Sequence, residues 1–121
     1  MDNTTSTALQ IATDYYRLWT AGDLDGAVRL IAEDVVCDAP AGRIEGAAAY
    51  RAFLEPFAGL LRSTTLLGAF GDENTALIMY DTETALVPSA PGAECLTIRD
   101  GLITYNRFVF DRAPFMAARG S

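Results

Sequence analysis

The residues of this chain best placed to do chemistry are few: Glu94, Tyr15, Asp38, Asn106 and the strand pair Tyr80 and Thr82. Glu94 precedes Cys95-Leu96-Thr97-Ile98, and strand alternation puts it on the same face as Leu96 and Ile98. If that face lines the interior, the carboxyl sits among apolar side chains. Such surroundings favour its neutral form and make it a proton donor or a poised base. The other reading of Glu94 is a solvated strand end, or an acid paired with an arginine. Tyr15 lies on the apolar stripe of an N-terminal helix, either as a core tyrosine or with its hydroxyl offered to a ligand. Asp38 ends a short strand before Pro40, where it either bonds loop amides or acts as a general base.

The residues that are missing narrow the chemistry. There is no histidine, and the nine basic residues are all arginine. Serine and cysteine triads, histidine-held zinc or haem, and Schiff-base chemistry are therefore excluded. Proton transfer is left to carboxylates, tyrosine, cysteine or water, with no cofactor or metal expected. Cys37 and Cys95 sit in strand-like apolar runs and read as free thiols acting as small hydrophobes. A net charge of −7 argues against nucleic acid and against an anionic membrane surface. No apolar run approaches the roughly 20 residues of a membrane span. The opening MDNTTSTALQ lacks the pattern of a secretory signal, so a cytoplasmic location is expected.

These groups must be positioned by one domain over residues 1–121, with 1–6 and 112–121 as flexible or capping ends. Apolar residues at Ala8, Ile11, Ala12, Tyr15, Leu18 and Trp19 predict a first helix ended by Gly22. Asp23 is placed to cap a short second helix with Leu24, Ala27, Val28 and Ile31 on its stripe. Val35 to Cys37 read as a strand, and AGRIEG as a loop. Tyr50, Phe53, Leu54, Phe57 and Leu61 predict a third helix from near Gly46, kinked or broken around 52–55 by Pro56. Strands follow over 64–70, 75–87, 94–99 and 102–111, with turns at 71–74, 88–92 and Asp100-Gly101. Phe115 and Met116 are placed to fold back as a plug. Helices first and a meander of strands after them predict an α+β domain: three N-terminal helices packed on a curved antiparallel sheet, forming a cone-shaped barrel around a pocket.

The segments YYRLWTAGDLDGAVRLIAEDVV, DAPAGRIEGAAAYRAFL and LTIRDGLITYNRFVFD, with the meander between them, resemble the nuclear-transport-factor-2-like superfamily, in particular its SnoaL-like and ketosteroid-isomerase-like members. The resemblance implies a homodimer through the outer sheet face, and an activity drawn from isomerases, polyketide cyclases, epoxide hydrolases or dehydratases, or none. It places the isomerases' helix-borne tyrosine at Tyr15 and their neutral carboxylic acid at Glu94. Their general base falls at Ala39, with Asp38 one residue earlier, and such a step turns a side chain to the other face unless a bulge intervenes. The epoxide hydrolases' arginine and second acid fall at Gly92 and Phe108, and the cyclases' acid also falls near Phe108.

Two hairpin registers are open at Asp100-Gly101. A two-residue turn would set Glu94 opposite Arg107, whereas a bulge at Gly101 would set it opposite Asn106. The second turns Leu102, Phe108 and Phe110 inward and Ile103, Tyr105, Arg107 and Val109 outward, and is the more apolar choice. The expected site is then Glu94, Tyr15 and Asp38 as catalytic groups, with Asn106, Trp19, Tyr80, Thr82, Phe53, Phe57 and Phe108 lining the pocket. The function expected is a cofactor-independent acid/base isomerase, cyclase or hydrolase acting on a small apolar carbonyl or polyketide-like substrate. The rival is a non-catalytic ligand-binding or dimerisation module. Polar groups converging in an open cavity favour the first, and a cavity filled by Trp19, Phe53, Phe108 and the tail favours the second.

Overall fold

Helix α1 (Thr7–Thr20) turns Ala8, Ala12, Tyr15, Tyr16 and Trp19 inward, as the spacing implies. The Ala-Gly-Asp joint then does two jobs at once. Gly22 adopts φ +87°, and the Gly22 and Asp23 amides donate to the carbonyls of Trp19 and Leu18, closing the helix end. The Asp23 carboxylate accepts from the Gly26 amide at 2.9 Å and so starts α2 (Leu24–Val28). A cap of this kind contributes about 1 kcal/mol. The computed structural model describes residues 7–120. The polar lead-in expected over residues 1–6 lies outside the described residues.

Three local expectations are corrected. Helix α2 ends at Val28 rather than Ile31, and β1 starts at Ile31 and runs to Ala39, because the Leu30 carbonyl accepts the Ile103 amide and draws this segment onto the sheet. AGRIEG is not all loop: Gly42–Glu45 form β2, which pairs antiparallel with β1 from Val36–Glu45 to Ala39–Gly42. As an edge strand with Gly42, Arg43 and Glu45 exposed, it lacks the apolar alternation that would have marked it. Of the kink or break expected around residues 52–55, the break does not occur: helix α3 runs continuously from Ala47 to Leu60 with Pro56 inside it. Pro56 and Ala52, the residue whose carbonyl it deprives of a partner, are both exposed, so water can replace the lost bond.

The remaining strands are β3 (Leu61–Gly71), β4 (Thr75–Thr84), β5 (Gly92–Arg99) and β6 (Leu102–Phe110), followed by helix α4 (Ala113–Gly120). They form one six-stranded sheet in the order β2-β1-β6-β5-β4-β3. Neighbours are antiparallel, except that β1 and β6 run parallel. Bulges in β3 and β6 bend the sheet around α1 and α3. The core between the sheet and these helices is built from Trp19, Tyr50, Leu54, Ile78, Leu96 and Ile103 among others. Helix α4 buries Phe115, whose ring packs against Phe57 and Phe110.

Neither hairpin register foreseen at Asp100-Gly101 is the one formed. Asp100 and Gly101 both take positive φ (51° and 80°), a two-residue turn pairing Arg99 with Leu102 and Ile98 with Ile103. The bulge comes later, at Thr104, so that Thr97 faces Tyr105 and Glu94 faces Phe108. The delayed bulge leaves Asn106 and Phe108 inward, as the favoured register has them. Before the bulge the faces are reversed: Ile103 is fully buried and Leu102 is 37 % exposed.

Candidate active site

The site is a carboxyl held inside the sheet-and-helix core. Strand β5 carries Glu94 between Ala93 and Cys95, pointing to the same side as the buried Leu96 and Ile98, and Glu94 has no exposed surface. Three donors reach it. Tyr15 of α1 donates to Oε1 at 2.9 Å, Asn106 Nδ2 of β6 donates to Oε1 at 2.7 Å, and Tyr80 of β4 donates to Oε2 at 2.5 Å. Asn106 lies opposite Leu96 and is therefore the diagonal neighbour of Glu94 on the inner face. Tyr80 lies one pair further along β4 from Met79–Ala93, and its ring packs under the missing side chain of Gly92: a Cβ there would stand 3.2 Å from it.

Tyr50 of α3 completes the network. Its hydroxyl accepts from Asn106 Nδ2 at 2.5 Å and lies 2.6 Å from the Tyr15 hydroxyl. Since Tyr15 donates to Glu94, Tyr50 must donate to Tyr15, and the phenolic protons run in one direction, Tyr50 to Tyr15 to Glu94. Burial raises the Glu94 pKa above its ordinary value, and the bonds from Tyr80, Asn106 and Tyr15 offset only part of that rise. Burial, followed by the nearby Glu94 charge, pushes Tyr15, Tyr50 and Tyr80 well above the usual phenol range. The phenols are thus held as proton donors, while the carboxyl is the group whose charge state can change. Among the described residues no group of three or more His, Cys, Asp or Glu side chains is placed to hold a metal ion.

Of the expected site residues, the fold brings Glu94, Tyr15, Asn106 and Tyr80 together. Asp38 stands apart. On β1 it alternates with the buried Cys37, which faces Asn106, and so it points to the opposite side. There it takes two bonds from Arg43, at 2.9 and 3.1 Å, and one from Tyr105 at 2.7 Å. The Arg43 bond, then the Tyr105 bond, hold its carboxyl below the usual range, the reverse of a poised base. No bulge returns it to the interior, so the general-base reading of Asp38 is not met. Thr82 faces inward but gives its hydroxyl proton to the Ala90 carbonyl at 2.7 Å. Trp19 packs edge-on against Tyr80 with centroids 6.0 Å apart.

Phe53, Phe57 and Phe108 do line the interior, together with Phe110 and Phe115, as one aromatic cluster. That cluster divides the cone. An outer pocket of about 270 Å³ is lined by Phe53, Phe57, Leu60, Phe110, Phe115 and Met116 among others. An inner cavity of about 20 Å³ is lined by Trp19, Tyr80, Thr82, Gly92 and Phe108, with Phe57, Phe110 and Phe115 shared between the two. Residue patterns alone did not single out Tyr50 or Cys37 for the site. Tyr50 carried a signal, since a hydroxyl on the buried stripe of a helix needs a partner. Cys37 is buried 0 % exposed beside this network, and burial, then the Glu94 charge, push its thiol up to about 12, which makes it unreactive.

Comparison with known proteins agrees with this fold. The family model of the SnoaL-like domain matches residues 12–106. A crystallised protein from Kribbella flavida DSM 17836 is 56 % identical, with 94 % of each chain covered and a TM-score of 0.93. A candidate polyketide cyclase from Xanthomonas campestris pv. campestris is 24 % identical over 93 % of this chain and 96 % of its own, with a TM-score of 0.75. A candidate ketosteroid isomerase from Kribbella flavida is 20 % identical over 87 % of this chain and 78 % of its own, also at 0.75. The last two likenesses are of fold alone, and proteins called NTF2-like share that fold. No curated protein sequence matches this chain. With its cone of helices on a curved sheet and a family match running from α1 into β6, the chain belongs to the SnoaL-like domain family.

Proposed function

We propose that this chain is a cofactor-independent acid/base enzyme acting on a small, largely apolar carbonyl compound in the cone. Glu94 holds the proton and Tyr80 passes it to the substrate oxygen. The observation that carries this reading is the 2.5 Å bond between a fully buried carboxyl and a phenol that also lines the inner cavity. Glu94 itself has no open surface, so it acts through Tyr80. With Glu94 neutral, its Oε2–H donates to the Tyr80 oxygen and frees the Tyr80 proton for the substrate oxygen; as that proton moves, the Glu94 proton replaces it, and no free tyrosinate forms. Polarising an oxygen in this way opens isomerisation, cyclisation and hydration alike, which fits the range of activities among proteins of this fold.

The test needs no knowledge of the natural substrate. In deuterated buffer the protein is expected to accelerate hydrogen–deuterium exchange α to the carbonyl of cyclohexanone, the polarised ketone losing its α-proton to solvent water and the enol regaining a deuteron from it, followed by proton NMR. Tyr80→Phe should lose most of that acceleration, about 10²-fold or more. Equal rates for Tyr80→Phe and the parent protein would remove Tyr80 from the mechanism. Division of the cone by the phenylalanine cluster favours a second reading, a non-catalytic binding module in which the network only braces the core. Under that reading the ketone binds and neither protein accelerates exchange.

We also propose a homodimer through the outer sheet face, where Leu67, Phe70, Leu77 and Met79 of β3 and β4 line a shared surface and Phe70 is 71 % exposed. Of the β6 residues expected there, Val109 is exposed and Ile103 is buried by the Thr104 bulge. A patch of this kind meets its own copy across a two-fold axis. Light scattering should give twice the chain mass, and Phe70→Glu should return it to one. Unchanged mass in that variant moves the interface elsewhere.

A further inference from the structure

One buried donor in the cone has no partner. Trp19 is 2 % exposed, and its indole Nε1 finds no acceptor among the described residues. Leaving such a group unsatisfied forfeits its hydration with nothing in return, so a buried indole N–H normally finds an acceptor. The indole lines the inner cavity beside Tyr80. At about 20 Å³ that space holds no more than a single water.

What limits the cavity is a removable side chain. Phe57, Phe110 and Phe115 form a triangle with centroids 5.0, 5.5 and 6.0 Å apart, and all three line both the inner cavity and the outer pocket. Phe57 belongs to α3, packed against β1, and Phe110 ends β6 within the sheet. Phe115 belongs to α4, whose neighbours Pro114 and Met116 are exposed. Of the three rings it can leave with least disturbance of the core. Its departure would join the two spaces and open a ring-sized volume ending at Trp19.

We infer that the inner cavity is a binding site for a compact cyclic ligand bearing one hydrogen-bond acceptor, with Trp19 Nε1 donating to that acceptor and Phe115 as the displaceable gate. This rests on the proposed carbonyl substrate and adds to it the group that holds the oxygen and the residue that admits the ring. Trp19 acts here by positioning, and nothing in its role requires turnover.

The chain has a single tryptophan, so its indole N–H gives one resonance in a proton–nitrogen correlation spectrum. Titrating the parent protein with cyclohexanone should move that resonance downfield and saturably. Methylenecyclohexane, of nearly the same shape but without the oxygen, should not reproduce the downfield shift. Phe115→Ala should tighten the ketone's apparent affinity about ten-fold, because the open state no longer has to be populated at a cost. A resonance unmoved in the parent protein, with shifts confined to Phe115→Ala, would mean an engineered void only and overturns the inference. Equal shifts from both probes overturn the role of Trp19. The parent protein alone decides the first point, so poor folding of the variant leaves it intact. The readout involves no proton transfer, so it can succeed where the exchange assay fails, and the reverse.

Discussion

Glu94→Gln is expected to slow α-proton exchange by about 10²–10⁴-fold while leaving the protein folded. Gln is nearly isosteric: its oxygen can still accept from Tyr15 and Asn106, and its amide can donate to the Tyr80 hydroxyl, but it has no proton to pass on. A second signature separates this from a merely structural loss. The pKa of Glu94 is raised in the folded chain by burial. The stability gained from its neutral form is therefore fully present below the unfolded carboxyl pKa, about 4.3. It is lost as pH rises through the folded value. Gln cannot ionise, so the stability of the parent protein relative to Glu94→Gln should fall across that window and level off above it. Asp25, Asp38 and Asp72 are shifted the other way, so their contribution is lost as pH falls. They are common to both proteins and cancel in the difference. Thermal melts of both at a series of pH values make the measurement, and parallel curves would sink the claim of a raised Glu94. Exchange in the parent protein should decline over the same window, because the proton donor disappears there.

Asn106→Leu carries the other large effect, and on stability. The side chain keeps its volume but withdraws one N–H from Glu94 Oε1 and one from the Tyr50 hydroxyl. A hydrogen bond to a charged buried group is worth about 1.5–3 kcal/mol, so the loss should be of that order once Glu94 is ionised. It should be smaller at low pH, where the carboxyl is neutral. The asparagine bond is one of the three that lower the Glu94 pKa, so its removal raises that pKa further and extends the falling stability limb to higher pH. Urea unfolding at a low and a neutral pH distinguishes the two regimes. A pH-independent penalty would show that Asn106 braces the core without touching the charge on Glu94. Leucine also removes the buried Asn106 Oδ1, which has no partner among the described residues, and this offsets part of the cost.

How far the residues alone reach can be seen at particular places. The stripe of α1, the Gly22-Asp23 joint and the alternation of β4 are local patterns, and each forms as its spacing implies. Glu94 is legible as a buried acid for the same reason, since it alternates with Leu96 and Ile98. Strand β2 is not legible: an edge strand with exposed side chains has no apolar face to show. The Thr104 bulge is not legible either, because it depends on how β6 meets β1 and β5 together rather than on its own turn.

Burial and composition therefore set the kind of chemistry open to this chain. A protein without histidine or lysine, with one acid on a buried strand face and tyrosines on buried stripes, has carboxyls and phenols, besides cysteine and water, as its groups for any proton transfer. Which phenols join the network around that acid was settled by packing. Tyr15, Tyr50 and Tyr80 come from α1, α3 and β4, far apart in the chain, and meet only because the sheet curves around both helices. The same packing turned Asp38 outward and set Phe115 against the cavity. The reason is one of range: periodicity records which side of an element is buried, whereas a hydrogen bond of 2.5–3 Å depends on how separate elements are placed against one another.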